Sequence, residues 1–477
     1  MQVKMLFAAV MSVSGPQGAQ SLQELAEQAV PVKELERLVH RIGGERVAER
    51  EAQTAKYAKR PLVKKDKCPL SVTPNAVSVS LDGGRQQLRS DALEGDAPTP
   101  PARSASQTPS ETSAGASAVD ALAPDCAAEV ASPTETASIV EENATSEEKR
   151  ESTEGHWKNY NAGVLQTLSS VESAVDPCPE IPDCFTDRPH IAKIAREIHG
   201  THTPDGGHPF ERQDQEPADP EPADLQPPEP DSAAASIPGA GSENRSKRRR
   251  RPGAPEVLVQ SVVASRQGSA SFGLLLATAA WARGFFAAAR RAFLGDGLRS
   301  NWTVWKRFFP TFTPILDFIH ALTHIYSAAT AGQSAEAGWD RYGEAIRLVW
   351  SGKIDTLRAL LETWCQEAGP PQANDPELHP RRVLQTELGY VRNNRERMSY
   401  PEYRRLGLPI TTAYMESMIK RLNYRVKGTE KFWSEPGAEA ILQLRADFLS
   451  ETRPLQAFLR QRQRHATGQR TYHRSKT

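Results

Sequence analysis

The stretch Arg291–Gly297 reads RAFLGDG, a short apolar run that ends on Asp296 between two glycines. A second stretch, VSVSLDGG (77–84), has a similar form and ends on Asp82 before a glycine pair. Short apolar or alternating runs bounded by turn residues are typical of β-strands. We therefore expect both acids at points where a strand gives way to a loop.

The segments around these two runs alternate between strand and helix patterns. An alanine-rich helix is predicted over residues 272–291. Further strand-like segments are found at 156–170, 256–265, 292–296 and 313–318. Three consecutive strands followed by alternating helices and strands predict an α/β fold, with a mixed sheet covered by helices on both faces.

Two segments have a composition that does not fit a packed core. Residues 91–155 hold 14 Asp/Glu against 3 Lys/Arg, and residues 201–254 are rich in proline. Such segments cannot bury enough apolar surface to offset the entropy lost on ordering. We expect an acidic and a Pro-rich disordered insertion, which the fold tolerates because longer loops add little closure entropy.

The charge of the chain is unevenly distributed, although its formal net value is zero. Residues 381–477 hold 20 Lys/Arg against 9 Asp/Glu, which indicates a polyanion partner or, alternatively, a solvated basic surface. The five cysteines are scattered and form no CxxC pair, which argues against a disulfide scaffold or a structural zinc site. Because no run of about eighteen apolar residues occurs, no membrane span is expected.

The N-terminal region is predicted to be helical after a poorly ordered start at residues 1–20. Residues 21–60 show apolar positions at helical spacing, interrupted at Pro31 and ended by Gly43-Gly44. Two short helices across a tight joint fit the remnant of a DNA-binding helix-turn-helix, or a plain helical hairpin.

The C-terminal half is predicted to be mainly helical. Residues 331–400 read as a helical insertion, and residues 401–450 contain two further helices, the first of which carries Glu416. Residues 451–477 form a basic tail.

Asp82 and Asp296 are candidates for metal chemistry because of where they fall. In open α/β sheets, functional groups collect at the carboxyl ends of the strands. If the two strands are neighbours, their carboxylates converge, and oxygen ligands select Mg²⁺ or Mn²⁺. With Glu416 as a third acid, two such ions would assist phosphodiester displacement. The alternative is that each Asp-Gly pair is only a turn.

The order of elements resembles the ribonuclease-H-like fold of DDE transposases, and most of all bacterial insertion-sequence transposases on the Mutator-like side of that superfamily. The resemblance spans roughly residues 20–90, 155–200 and 255–450. It is carried by VSVSLDGGR, by FLGDGLRSNW followed by FPTFTPILDFIHA, and by the long block from LGYVRNNRERMSY to AILQLRA.

The resemblance implies a role for each acid. Asp82 would be the first metal-binding acid, Asp296 the second and Glu416 the third, and together they would cleave transposon ends and join them to target DNA. Related transposases also carry an Asp or Cys shortly before a His, and the matching stretch here runs from Asp317 to His320. Asp317 is therefore the rival for the second position, but Asp296 follows the fourth strand and Asp317 the fifth, which favours Asp296. His320 would orient a carboxylate or the DNA, or be an interior histidine.

The resemblance also implies partners and a location. Double-stranded DNA, as transposon ends and as target, would be bound by a homo-oligomer in the bacterial cytoplasm, at the nucleoid. The cations expected on phosphates are Lys420, Arg421, Arg425, Lys427, Arg392 and Arg395, with Arg397, Arg404 and Arg405 beside them. Phe432 and Trp433 either stack on an unpaired base or pack between helices.

Two further functions stay open at this point: a DNA-binding relic without catalysis, and a structure-specific nuclease on the same fold. Members of the family usually begin with a longer DNA-binding region, so the expectation is either that part of the end-recognition region is missing or that the start of the sequence is misplaced. The two insertions are also long for the family.

Overall fold

The structure, a computed structural model, describes residues 2–65, 67–88, 157–199, 252–428 and 431–466. The acidic insertion predicted at 91–155 lies outside these residues. The Pro-rich insertion predicted at 201–254 lies outside them as well, except for its last three residues.

A sheet built around one long strand organises the described residues. Its strands are β1 (Ala76–Leu88), β2 (Trp157–Ser169), β3 (Glu256–Ser265), β4 (Arg290–Gly295), β5 (Thr313–Leu316) and β6 (Phe432–Trp433). The strand order is β3-β2-β1-β4-β5, and β6 pairs with the end of β1. Strands β1, β2 and β3 are antiparallel neighbours, whereas β4 is parallel to β1 and β5 is parallel to β4. The predicted α/β class with a mixed sheet is confirmed.

Helices account for most of the remaining described residues. They are α1 (Gln2–Met11), α2 (Gly15–Ala26), α3 (Val32–Ala58), α4 (Leu62–Lys65), α5 (Arg188–His199), α6 (Ser269–Ala282), α7 (Arg299–Phe308), α8 (Phe318–Thr330), α9 (Ala335–Trp350), α10 (Ile354–Ala368), α11 (Pro380–Asn394), α12 (Tyr400–Arg405), α13 (Ala413–Val426), α14 (Glu435–Leu449) and α15 (Pro454–Ala466). Within the described ranges, none of them combines the length and the apolar character needed to cross a bilayer.

The two faces of the sheet are covered by different helices, because successive strand residues point to opposite sides. On one face, Val77, Val79 and Leu81 are buried in a core that α6 to α12 share. On the other face, α13 packs across β1, and α1, α2, α3 and α14 complete a second core over β2 and β3. The polar residues of β1, Ser78 and Ser80, lie on this second face together with Asp82.

Two expectations for the N-terminal region are corrected. The poorly ordered start expected at 1–20 is wrong for residues 2–20, because these residues form α1 and most of α2. Leu6 and Val10 of α1 are fully buried, and the ring of Phe7 lies 5.5 Å from that of Phe448. The pair Gly43-Gly44 does not end a helix, because α3 continues through it to Ala58. In both cases the stabilising partner is α14, some four hundred residues away along the chain, as in the buried ion pair between Arg46 and Asp447 at 2.8 Å.

Other boundaries also differ from the sequence pattern. The alanine-rich helix α6 ends at Ala282 and not at residue 291, because Gly284 adopts a left-handed conformation with φ of 71° and the chain turns into β4. The segment predicted as a helical insertion, 331–400, contains α9, α10 and α11. Part of the predicted basic tail is the helix α15, whose Arg462 donates to Glu45 of α3.

The adjacent glycines of α3 provide a matched test of this packing. A Cβ on Gly43 would lie 2.6 Å from the Cβ of Ala440, whereas a Cβ on Gly44 meets nothing within 4 Å. Gly43→Ala should lower the free energy of unfolding by about 1 kcal/mol or more, because overpacking outweighs the gain in helix propensity. Gly44→Ala should raise it by about 0.5–1 kcal/mol. Urea unfolding measures both, and equal stabilisation by the two changes would contradict the contact between α3 and α14.

Candidate functional site

The register of the sheet brings Asp82 and Asp296 together. Ser80 of β1 pairs with Leu294 of β4 in parallel, so the same register continued by two residues places Asp82 level with Asp296. Neighbouring strands are about 4.8 Å apart. Strand β1 continues to Leu88, which leaves Asp82 within a strand and Asp296 on the loop that follows β4.

The loop after β4 holds Asp296 in a defined orientation. Its Oδ1 accepts hydrogen bonds from the N–H of Leu298 at 2.9 Å and from the side-chain amide of Asn301 at 2.8 Å. Its backbone carbonyl accepts one from the hydroxyl of Tyr390 at 2.8 Å. Gly297 has a φ of 106°, a conformation that favours glycine. The Asp-Gly pair is therefore a turn, and this turn also fixes the carboxylate beside the sheet.

Helix α13 carries Glu416 over the face of β1 that displays Asp82. Met415, Met418 and Leu422 are buried at helical spacing and hold the helix on the second core. The hydroxyl of Tyr414 is hydrogen-bonded to Ser80, two residues before Asp82. Glu416 is only partly buried and belongs to the side of the helix that borders this apolar stripe.

Asp317 is used inside the fold and is only 1 % exposed. Its Oδ2 accepts from the N–H of His320 at 3.1 Å, as the N-cap of α8, and lies 2.7 Å from the ring Nδ1 of the same residue. Its Oδ1 accepts from the N–H of Thr412 at 2.6 Å. The carboxylate thus joins the end of β5, the start of α8 and the segment that leads into α13. Both oxygens of Asp317 are therefore used in hydrogen bonds within the protein, unlike those of an acid that faces a ligand.

Like charges accumulate around Asp82. Burial raises the pKa of Asp82 to about 6, and the charges of Asp296 and Glu416 act in the same direction. The hydrogen bond from the N–H of Gly83 at 2.7 Å opposes the rise, and so does the charge of His320. Burial also raises the pKa of Glu416 against the effect of Lys420. The three acids predicted from the sequence therefore interact electrostatically.

His320 acts as a cation within this group of acids. Burial alone would lower the pKa of His320, but the hydrogen bond and charge of Asp317, together with the charges of Asp296 and Asp82, raise it to about 9. The imidazole is therefore protonated at neutral pH. The positive charge of His320 partly offsets the repulsion between the carboxylates, a role that an uncharged interior histidine would not have.

The carboxylates Asp82, Asp296 and Glu416 supply the hard oxygen donors that a divalent cation prefers, and their mutual repulsion is what such a cation would relieve. Within the part of the chain that the structure describes, however, no three His, Cys, Asp or Glu side chains are grouped closely enough to hold a metal ion. Asp82 within β1 and Asp296 directly after β4 thus form the core of the candidate site. The expectation that Asp82 ends a strand is wrong, because β1 continues to Leu88.

The cations expected to contact phosphates fall into two groups. Lys420, Arg421, Lys427, Arg392 and Arg395 are exposed on the surface, although Lys420 lies 3.3 Å from Glu197 and Arg392 lies 2.8 Å from Glu362. Arg425 is instead partly buried and donates to the carbonyl of Ala9 at 3.2 Å, near the end of α1. Burial lowers the pKa of Arg425, which acts mainly as a tie between α1 and α13.

The structure corrects the expectation for Arg404, one of the flanking arginines. Arg404 is 7 % exposed, donates to Asp176 at 2.9 Å and lies over the ring of Trp350 at 4.0 Å, so it cannot reach DNA as placed. Arg405 lies at the surface between Glu402 at 2.7 Å and Glu172 at 3.0 Å.

Phe432 and Trp433 form β6 beside the end of β1. The indole of Trp433 donates to the carbonyl of Val426 at 3.1 Å and lies beneath the guanidinium of Arg425. Trp433 is therefore a packing residue, whereas Phe432 is 40 % exposed.

Several residues of the site were not found by sequence reasoning. Asn301 lies in the first turn of α7, and its side-chain amide donates to Asp296 at 2.8 Å. Its position five residues after the acid is the signal that could have indicated this role. Tyr390 is 94 residues from Asp296, and no local pattern could have indicated it.

Comparisons with protein-family models, curated proteins and solved structures gave no match.

The same change at two acids should have opposite effects on stability. In EDTA at pH 7, Asp82→Asn should raise the free energy of unfolding by about 1–2 kcal/mol, because an ionised carboxylate among like charges is removed. Asp317→Asn should lower it by about 2–3 kcal/mol, because the amide has one acceptor oxygen and leaves a buried donor unpaired.

The pH dependence gives the sign of the Asp82 effect. The pKa of Asp82 is 3.8 before folding shifts it and about 6 in the folded protein, so the native state binds the proton more tightly. The free-energy cost of ionising Asp82 in the folded protein is therefore absent below about pH 4 and grows as the pH rises through 6. Urea unfolding at pH 4.5 and pH 7 should show the advantage of Asp82→Asn growing with pH. A constant advantage would contradict the electrostatic cause.

Proposed function

We propose that the protein is a DDE-type DNA transposase with a ribonuclease-H-like core, which cleaves the ends of a mobile element and joins them to target DNA. The observation that carries the proposal is the pairing of Asp82 and Asp296 at the same level of neighbouring parallel strands, with the charge of Glu416 acting on Asp82. The first acid on β1, the second after β4 and the third on a late helix follow the arrangement that the resemblance implies.

Asp82 and Asp296 would act on the substrate, and neighbouring residues would orient their carboxylates. Asp82 and Asp296 are oriented by Gly83, Leu298 and Asn301 before any substrate arrives. Such preorganisation is what favours a charged transition state, since no reorientation is needed during the reaction. The protonated His320 would reduce the repulsion between the carboxylates when no other cation is bound.

Exposed cations on α13 would bind the DNA backbone beside the acids. Lys420 and Arg421 follow Glu416 by about one helical turn, so phosphates held by them would run past the acid group. The ion pair of Lys420 with Glu197 is exposed and of little energetic weight, so a phosphate can replace the carboxylate.

Mg²⁺ or Mn²⁺ would be held by Asp82 and Asp296, with Glu416 as the third acid. When bound, such ions activate a water or a 3′-hydroxyl and stabilise the leaving oxygen of a phosphodiester. The bound cation would offset the repulsion between the carboxylates and so allow them to approach one another.

The proposal predicts metal-dependent cleavage that fails when any of the three acids is neutralised. Supercoiled plasmid that carries the DNA flanking the coding region is incubated with the protein and Mn²⁺, and nicked and joined products are measured. Asp82→Asn, Asp296→Asn and Glu416→Gln should each reduce cleavage by about a hundredfold to a thousandfold or more. Asp355→Asn, on the exposed side of α10, is the matched control and should cleave like the wild type.

The products separate the proposal from its alternatives. Nicks at the element ends followed by joining support a transposase, whereas cleavage of branched DNA without joining indicates a structure-specific nuclease. Binding of DNA without cleavage under Mg²⁺ or Mn²⁺ indicates a catalytically inactive relic. An active Asp296→Asn variant beside an inactive but folded Asp317→Asn variant would overturn the assignment of the second acid.

The exposed cations should control the salt dependence of DNA binding. Lys420→Ala and Arg421→Ala should each reduce the slope of log affinity against log salt by about 1, because each removes one phosphate contact. Arg405→Ala is the control, since Arg405 lies on α12 and not on α13 beside the acids, and the slope should not change. Fluorescence anisotropy with a labelled duplex measures the slopes. An equal effect of Arg405→Ala would place the DNA on another surface.

A further inference from the structure

Tyr390 joins α11, in the helical segment between the acids, to the loop that carries Asp296. Its hydroxyl donates to the carbonyl of Asp296 at 2.8 Å, and its ring lies against Gly297. A Cβ on Gly297 would lie 2.5 Å from the Cε2 of Tyr390, and the φ of 106° independently favours glycine there. The close approach of the ring thus depends on a glycine directly after the acid.

Tyr390 is itself held in place by neighbouring side chains. The ring of His324 is stacked on it with centroids 3.5 Å apart, and Nδ1 of His324 lies 2.6 Å from Oε2 of Glu387. The stacked imidazole of His324 thus fixes the plane of the Tyr390 ring beside Gly297.

The same region of the chain holds the other end of this loop. The guanidinium of Arg397, directly after α11, lies 4.5 Å from the ring centroid of Trp302, and Trp302 packs against Gly295. Asn394 donates to the carbonyl of Tyr390 at 3.0 Å and so links the two contacts. The C-terminal part of α11 and the residues directly after it therefore contact the loop on both sides of Asp296.

We infer that Tyr390 is a positioning residue, through which α11 fixes the backbone of Asp296 so that its carboxylate stays level with Asp82 for a divalent cation. The inference rests on the proposed function and assigns a task to the helical segment 331–400, which would otherwise be an insertion without a role at the site. Outer contacts of this kind typically change metal affinity or activity by about 10–100-fold when they are removed.

The test compares Tyr390→Phe with Tyr342→Phe. Each change removes one buried hydroxyl that donates to a backbone carbonyl, that of Asp296 at 2.8 Å or that of Phe185 at 3.0 Å. The melting temperature is therefore expected to fall by a similar amount in both variants. Two readouts separate positioning from stability: hydrogen exchange of the amides between 295 and 302, and the Mn²⁺ concentration that gives half-maximal plasmid nicking.

Tyr390→Phe should speed exchange of those amides by about fivefold and raise the half-saturating Mn²⁺ concentration by about tenfold or more, with unchanged affinity for duplex DNA. Tyr342→Phe should leave both readouts within about twofold of the wild type. Equal exchange and equal Mn²⁺ dependence in the two variants would overturn the inference. If the wild-type protein does not nick DNA, the proposed function fails, and the exchange comparison alone decides whether Tyr390 positions Asp296.

Discussion

The carboxylate of Asp317 is the contact on which the arrangement of the site depends. One buried side chain accepts the N–H of Thr412 at 2.6 Å and the N–H of His320 at 3.1 Å, and it holds the His320 ring at 2.7 Å. The N–H of Phe318 donates to Ile410 beside it at 2.9 Å. The end of the sheet, α8 and the entry to α13 are thereby fixed to one another. A buried carboxylate with several donors is costly to replace. Because Thr412 directly precedes α13, its bond to Asp317 also helps to place Glu416 over β1.

The acids of the sheet therefore divide into two kinds. Asp317 is satisfied by hydrogen bonds and contributes to stability. Burial and, to a smaller extent, the like charges of Asp296 and Glu416 raise the pKa of Asp82, so its ionised form opposes folding. Charge repulsion that a protein keeps within a central strand is typical of functional sites, where stability is given up for ligand binding. His320 reduces the repulsion, and a cation would reduce it further. This contrast is the physical reason for preferring Asp296 to Asp317 as the partner of Asp82.

Local patterns were sufficient to predict the sheet but not its long-range contacts. The runs before Asp82, Asp296 and Asp317 are strands, and their order along the chain predicted a mixed sheet, because alternation and turn residues are local signals. The helix through Gly43 was missed, since Ala440 alone explains why glycine is needed there. Tyr390 and the buried role of Arg404 were missed for the same reason. A basic residue near a proposed site has the same appearance in sequence whether it faces a phosphate or an interior carboxylate.

The central claim is that Asp82 and Asp296 share a divalent cation. The most direct measurement is anomalous diffraction from crystals of the protein soaked in Mn²⁺, at a wavelength where manganese scatters strongly. A manganese peak is expected between the carboxylates of Asp82 and Asp296, with the Asp317 side chain still bonded to Thr412 and His320. A peak coordinated by Asp317 in place of Asp296, or the lack of any peak at this edge of the sheet at saturating Mn²⁺, would contradict it.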